Sequence, residues 1–330
     1  MKNNIIKGLI VATIIAITSV TIQNSYAYNL DKSYKEALVR DSGNANYTVK
    51  NMAPILGEKE LTKIIKKYDN HPEYFIADVN EKGDQIGVKE LTYRGGFHSH
   101  TTASDGKMEP IDALEQARDY AQKVKSKHPF RKYPVILAYT DHYNTNGCKE
   151  VIDIIQKNPE KYKNVKIILG METTAATHLS SDPKEGTRIH ILLWAINTYA
   201  PEYENINYYE NFDIAMKDAR VHKDWPDYRL VIKYTQSLKY GMVGIAHPLR
   251  YYVRDRKYDD AKLKEVMNEL FKEYSQLKGD SILFTEGYYQ PYKFDVSQDI
   301  YNYTADLAKQ YGIYRTGSHD SHGNSIFSNQ

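Results

Sequence analysis

VKIILGM, residues 165–171, is an aliphatic run broken by a single lysine. It is short for a helix, which needs about ten residues or more, and too apolar for a strand with one wet face. Such a run belongs in a strand buried on both faces, as in parallel sheets whose crossovers lay helices on either side. RIHILLWAI (188–196) has the same character. Working outward, LTYRGGF (91–97), VILAYT (135–140), MVGIAH (242–247), SILFTEG (281–287) and IYRTGS (313–318) read as further strands and bring the number to seven. Between them, periodic apolar positions predict helices at 111–125, 151–155, 261–277 and 296–309, the first opened by Pro110 at an N1 position. Strands alternating with helices imply parallel pairing, and seven such units predict a barrel-like β/α fold over residues 91–330.

Residues 28–90 read differently. Leu61, Ile64, Ile65 and Tyr68 fall at helical spacing, and YFIADV and QIGVKELTY flank residues 80–84 as a hairpin would, so this stretch is expected to be a small N-terminal attachment. Ahead of it, residues 1–27 have the anatomy of a signal peptide. Lys2 and Lys7 precede the apolar run 9–20, and Ser25-Tyr26-Ala27 suits a signal peptidase. The apolar run falls short of the roughly 20 residues a membrane span needs. The expectation is an exported protein, secreted or periplasmic, with no membrane segment after cleavage.

A hydrophobic fraction of 41% suffices for a large core, and Cys148, the one cysteine, leaves an exported chain without any internal disulfide. The 44 basic and 42 acidic residues are spread along the chain, with none of the concentrated basic footprint of a nucleic-acid-binding domain. No stable nucleic-acid partner is therefore expected.

The strand ends carry the chemistry. FHSHTTASDG (97–106) places His98 and His100 two apart, so that on a strand both project from one face, with Asp105 in the loop beyond. The next strands end in Asp141-His142 and Gly170-Met171-Glu172, then one carries His190, one ends in His247-Pro248, one carries Glu286, and the last runs into His319-Asp320-Ser321-His322. Seven of the eleven histidines lie at these points: His98, His100, His142, His190, His247, His319 and His322. In closed parallel β/α barrels the C-terminal ends of the strands gather at one face, so residues remote in sequence converge there. Any one histidine at a strand end is ordinary; the set together predicts a metal site. His71, His128, His178 and His222 read as surface residues.

HSHTTASDG, TDH, GME, the histidine of HILLW, AHP and the closing Asp-Ser-His resemble, in order, the motifs of the PHP (polymerase and histidinol phosphatase) phosphoesterases. That resemblance implies a distorted (β/α)7 barrel holding three metal ions. Carried over by motif, one ion takes His98, His100, Glu172 and Asp320. A second takes Asp105, His142 and His322, and Glu172 bridges to a third held by His190 and His247. The family's closing motif has no residue at the place of His319, so either His319 or Asp320 is the ligand. Asp320 is expected, because it keeps the D-x-H spacing to His322 and an extended segment turns His319 to the other side.

Histidine and carboxylate ligands without thiolate suit Zn, Mn or Fe. Paired ions about 3.5 to 4 Å apart can hold a bridging hydroxide and clamp phosphate oxygens, which makes hydrolysis of a small phosphate ester the expected reaction. Asp320 and Arg250 are the catalytic candidates, Arg250 as a guanidinium placed to neutralise phosphoryl oxygens. Asp141 orients His142 or caps a turn, and Glu286 is a pocket residue without an assigned ion. An amidohydrolase-type enzyme also begins with HxH, but such enzymes commonly bridge their metals with a modified lysine on the fourth strand, and RIHILLWAI has none. The remaining alternative is a non-catalytic secreted metal-binding protein. Among 30 tyrosines, Tyr199, Tyr203, Tyr208, Tyr209, Tyr251, Tyr252, Tyr288, Tyr289 and Tyr292 follow strands four to six and are expected to rim the metal face, where planar substrates would stack.

Overall fold

The computed structural model describes residues 54–69, 78–79, 85–87, 95–127, 135–182, 186–196, 225–237, 240–279, 281–289, 296–318 and 320–323. The signal peptide, His71, His128, His222, His319 and Tyr199 to Tyr209 lie outside them, as does Tyr292. The elements in order are α1 (Glu58–Asp69), β1 (Asp78–Val79), β2 (Gln85–Gly87), β3 (Gly95–Gly96), α2 (Pro110–Lys127), β4 (Val135–Tyr139), α3 (Asn146–Lys157), β5 (Val165–Thr177) and β6 (Thr187–Ile196). There follow α4 (Tyr228–Ser237), β7 (Tyr240–Ala246), α5 (Arg250–Arg254), α6 (Asp260–Gln276), β8 (Ile282–Tyr289), α7 (Gln298–Gln310) and β9 (Tyr314–Ser318). β1 and β2 pair antiparallel, as the hairpin reading expects.

β3 to β9 make one mixed sheet whose strand order follows the chain. The sheet curls until the segments leaving its two edge strands meet: His100 N–H donates to Ser321 O (2.9 Å) and Ser321 N–H to His98 O (3.2 Å). Side-chain alternation then sorts the core into two. Val135, Leu137 and Tyr139 of β4 join the cluster that packs under the surrounding helices, while Ile136 and Ala138 join the cluster inside the curl. Helices α6 and α7 lie on the outside, started by Asp259 and Ser297, whose side chains cap Lys262 N–H (2.8 Å) and Ile300 N–H (3.4 Å).

Inside the curl, Leu61, Ile64 and Ile65 of α1 pack with Ile136, Ile168, Trp194, Met242 and Phe284. Trp194 and Phe284 stack with ring centroids 3.9 Å apart. A Cβ at Gly244 would collide with the Phe284 ring, so glycine there is a packing requirement. Arg315 of β9 fastens the end of α1, donating from N (3.0 Å) and Nε (2.7 Å) to Asp69 Oδ1. The described helix of the N-terminal attachment thus shares the core of the sheet.

One strand departs from the all-parallel expectation. β6 runs antiparallel to both β5 and β7, with His190 opposite Thr174 and Ala246. β5 continues to Thr177, so only residues 178–186 join it to β6, fewer than the dozen or so a parallel crossover needs. The reversal carries the start of β6, with His190, to the end of the sheet where its parallel neighbours finish.

Candidate metal centre

At that end, alternation turns Glu172, His190 and Glu286 to the inner face, two to four residues beyond the apolar positions Ile168, Leu192 and Phe284 on the same strands. His98, His100, Glu172 and Asp320 form one buried group. His98 Nε2 and His100 Nε2 lie 3.0 Å apart, and each is 3.2 Å from Glu172 Oε2. Asp320 Oδ1 is 3.4 Å from the first nitrogen and 3.2 Å from the second. A tetrahedron with metal–ligand bonds of about 2.0 Å has edges of about 3.3 Å, so these four atoms stand where the ligands of one such ion would stand.

Glu172 also looks the other way. Its Oε1 lies 2.9 Å from His190 Nδ1 and 3.3 Å from His247 Nε2. Its Oε2 lies 3.2 Å from His142 Nδ1 as well as from the nitrogens of His98 and His100, and no N–H is aligned to donate to it. Buried polar atoms are nearly always paired, and an oxygen facing three imidazole nitrogens at this distance is placed where it could share a cation with them. A further group comprises His100, Asp105, His142 and His322. There His322 Nε2 is 3.3 Å from Asp105 Oδ1 and His142 Nε2 is 3.7 Å from Asp105 Oδ2. An imidazole serves one ion at a time, so the two groups that share His100, and the two that share His142, divide those residues between them.

Charge balance explains the perturbed ionisation. Glu172, Glu286 and Asp320 are three carboxylates in a space closed to solvent. Burial alone would raise Glu172 and Asp320; the facing histidines, His98 first, instead hold both well below the usual range. Burial would likewise lower His98 and His100, but the same carboxylates raise His98 well above its ordinary value and His100 to about 9. For His190, burial outweighs Glu172, and its pKa falls to about 4. Positive charge is therefore demanded at His98 and His100, and either protons or a metal ion can supply it.

Neighbouring residues hold the group in place. Glu286 Oε1 accepts from His98 Nδ1 (2.9 Å) and Oε2 accepts the His247 N–H (2.7 Å), which aims His98 Nε2 at the centre. Arg250 Nη1 donates to Asp320 Oδ2 (2.7 Å) and leaves Oδ1 turned inward. Backbone strain gathers at the same place: Tyr143, His247 and Asp320 all have positive φ, at 60°, 28° and 46°. The Asp320 backbone is thus not extended, contrary to the reasoning that favoured it, although its carboxylate does face the group. The Asp141 carboxylate makes no hydrogen bond to the His142 ring. It accepts from Thr101 N (2.7 Å), Thr101 Oγ1 (2.9 Å) and Ser104 Oγ (2.8 Å), and so shapes the loop that carries Asp105.

All nine residues proposed from the motifs thus meet at one end of the sheet. The tyrosine rim fares worse. Tyr252 is fully buried with its hydroxyl 2.7 Å from Thr177 Oγ1, so it belongs to the core. Tyr251 is also buried, its hydroxyl 2.7 Å from His190 Nε2. Tyr288 and Tyr289 belong to β8, and Tyr199, Tyr203, Tyr208, Tyr209 and Tyr292 lie outside the described residues. Sequence reading missed Arg188, on the same face of β6 as His190; the alternation of RIHIL would have found it. No family model matches the chain, and no curated protein matches it in sequence.

Proposed function

We propose that the protein is a metal-dependent phosphoesterase of the PHP type, exported by its N-terminal signal peptide, that hydrolyses small phosphorylated substrates. In this reading the curled sheet is the family's distorted (β/α)7 barrel. The observation that carries it is Glu172, a buried carboxylate whose two oxygens each face a separate set of imidazoles. One ion would be held by His98, His100, Glu172 and Asp320, a second by Asp105, His142 and His322, and a third by Glu172, His190 and His247. Zn, Mn and Fe all suit these donors. Ions so placed polarise phosphoryl oxygens and lower the pKa of water.

The chain's own residues do the rest. Glu286 keeps the proton of His98 on Nδ1, so that Nε2 offers its lone pair to the centre. Arg250, joined to Asp320 and 28% exposed, brings a fixed positive charge to the edge of the group, where it would meet phosphoryl oxygens. The apolar layer beneath, sealed by α1, keeps bulk water from the far side. Metal analysis followed by assay on a panel of phosphomonoesters and diesters tests the proposal. The expected result is about two to three equivalents of transition metal, with hydrolysis abolished by chelator and restored by Mn or Zn. A single tightly held ion without turnover of any ester would overturn it.

A further inference from the structure

Four arginines gather beside the metal centre, and one differs from the rest. Arg250 is joined to Asp320 (2.7 Å), Arg254 to Asp255 (2.6 Å), and Arg256 lies 3.8 Å from Asp182. Arg188 makes no close ion pair among the described residues, although Asp255 lies within reach of its charge, and its Nε is buried without a hydrogen bond. The side chain is only half-buried, but that one buried donor is left unsatisfied unless something outside the chain completes it.

Its surroundings favour an anion in that role. Arg188 is the second residue of β6, on the face that carries His190 and one strand repeat nearer the open end, about 7 Å along the strand. The guanidinium carbon lies 4.2 Å from the centroid of the Tyr251 ring and 5.4 Å from that of Trp225. Tyr251 in turn touches the metal group through its hydroxyl, 2.7 Å from His190 Nε2. Aromatic faces hold the plane of a guanidinium and leave its edge, where the N–H donors are, for a planar or tetrahedral anion.

We propose that Arg188 is a second anion-binding subsite, which selects phosphate esters carrying a further carboxylate or phosphate a few bonds from the ester. The inference rests on the phosphoesterase reading for its reacting group, but the subsite binds with or without turnover. A charge-assisted bidentate contact gives about ten- to a hundredfold in affinity.

Two measurements test it. With metal-loaded protein, kcat/KM for 3-phosphoglycerate and for 1,3-propanediol bisphosphate should exceed that for glycerol 1-phosphate by about tenfold or more. The same two ratios tell a carboxylate preference from a phosphate one. Arg188→Gln should bring them near unity and Arg188→Lys, which keeps the charge but loses the fork, should leave them between. Independently of turnover, calorimetry should show wild-type protein binding 3-phosphonopropionate at least about tenfold more tightly than propylphosphonate, and Arg188→Gln losing that preference. If no ester turns over yet the calorimetric preference holds and depends on Arg188, the subsite stands while the phosphoesterase reading falls. Equal binding of the two phosphonates by wild-type protein, or a preference that survives in both variants, overturns the subsite.

Discussion

The inner face of the curled sheet has two halves built from the same strands by the same alternation, and they obey opposite rules. The lower half, Ile136, Ile168, Trp194, Met242 and Phe284 under α1, removes apolar surface from water and stabilises the fold outright. The upper half, His98, His100, Glu172, His190 and Asp320, buries charge and nitrogen lone pairs that the chain alone satisfies incompletely. Shared strands let the first fund the second. Stability can be spent at one end of a strand because it is gained a few residues away.

The largest effect expected from this contrast lies in the lower half. Trp194→Ala should cost about 3 to 5 kcal/mol of folding stability by denaturant titration, while metal affinity of the folded molecules stays within a factor of two or so. Glu172→Gln should act chiefly on the metal, lowering its affinity roughly a hundred- to a thousandfold, about 3 to 4 kcal/mol, while the metal-free midpoint falls only by what the lost pairing with the facing histidines contributes. Similar damage to both properties from both variants would erase the division between the halves. His178→Ala should change neither metal content nor rate, since His178 belongs to none of the three groups.

A smaller effect is expected one shell out. Glu286→Gln can still accept from His98 but no longer carries charge, and should weaken metal binding about ten- to a hundredfold, read by competition with a chelator. The smallest effect concerns protons. His100, raised to about 9, carries a proton that metal must displace, so affinity should rise about tenfold per pH unit between 7 and 9 for each proton released. In metal-free protein, the raised His100 adds stability that is full below 6.5 and lost as pH rises through about 9. Glu172, held low, adds stability present above 4.5 and lost as pH falls below it. His190, held down to about 4, makes stability rise with pH up to 6.5, so metal-free protein should be most stable near pH 6.5, and a midpoint that keeps rising to pH 9 would contradict this assignment.

Much of the arrangement was legible in residue types alone. Apolar runs such as VKIIL and VILAY announce buried strands because few other structures accept them, and HSH at the end of one strand followed by GME at another marks the chelating face through simple two-residue alternation. The helix at 58–69 was legible from its apolar spacing, though not that it would lie inside the curl. Tyr251 and Tyr252 were misread as an exposed rim because exposure does not follow from position after a strand; Tyr252 is drawn into the core and Tyr251 is buried against His190 and Arg188.

Strand direction is the clearest case of what tertiary structure alone decided. RIHILLWAI is apolar on both faces, and such a strand looks the same to sequence whether it runs up or down, since alternation has no arrow. Only the length of β5 and the short connection after it reverse β6, and the reversal brings His190 to Glu172 and Arg188 to Tyr251. The sequence by itself determined which residues are able to bind a metal, because ligand chemistry belongs to the side chain. Which of their atoms face one another, and which carboxylate stands between two sets of imidazoles, was decided by the closing of the sheet, because distances of about 3 Å between residues more than seventy positions apart exist only after the chain has folded.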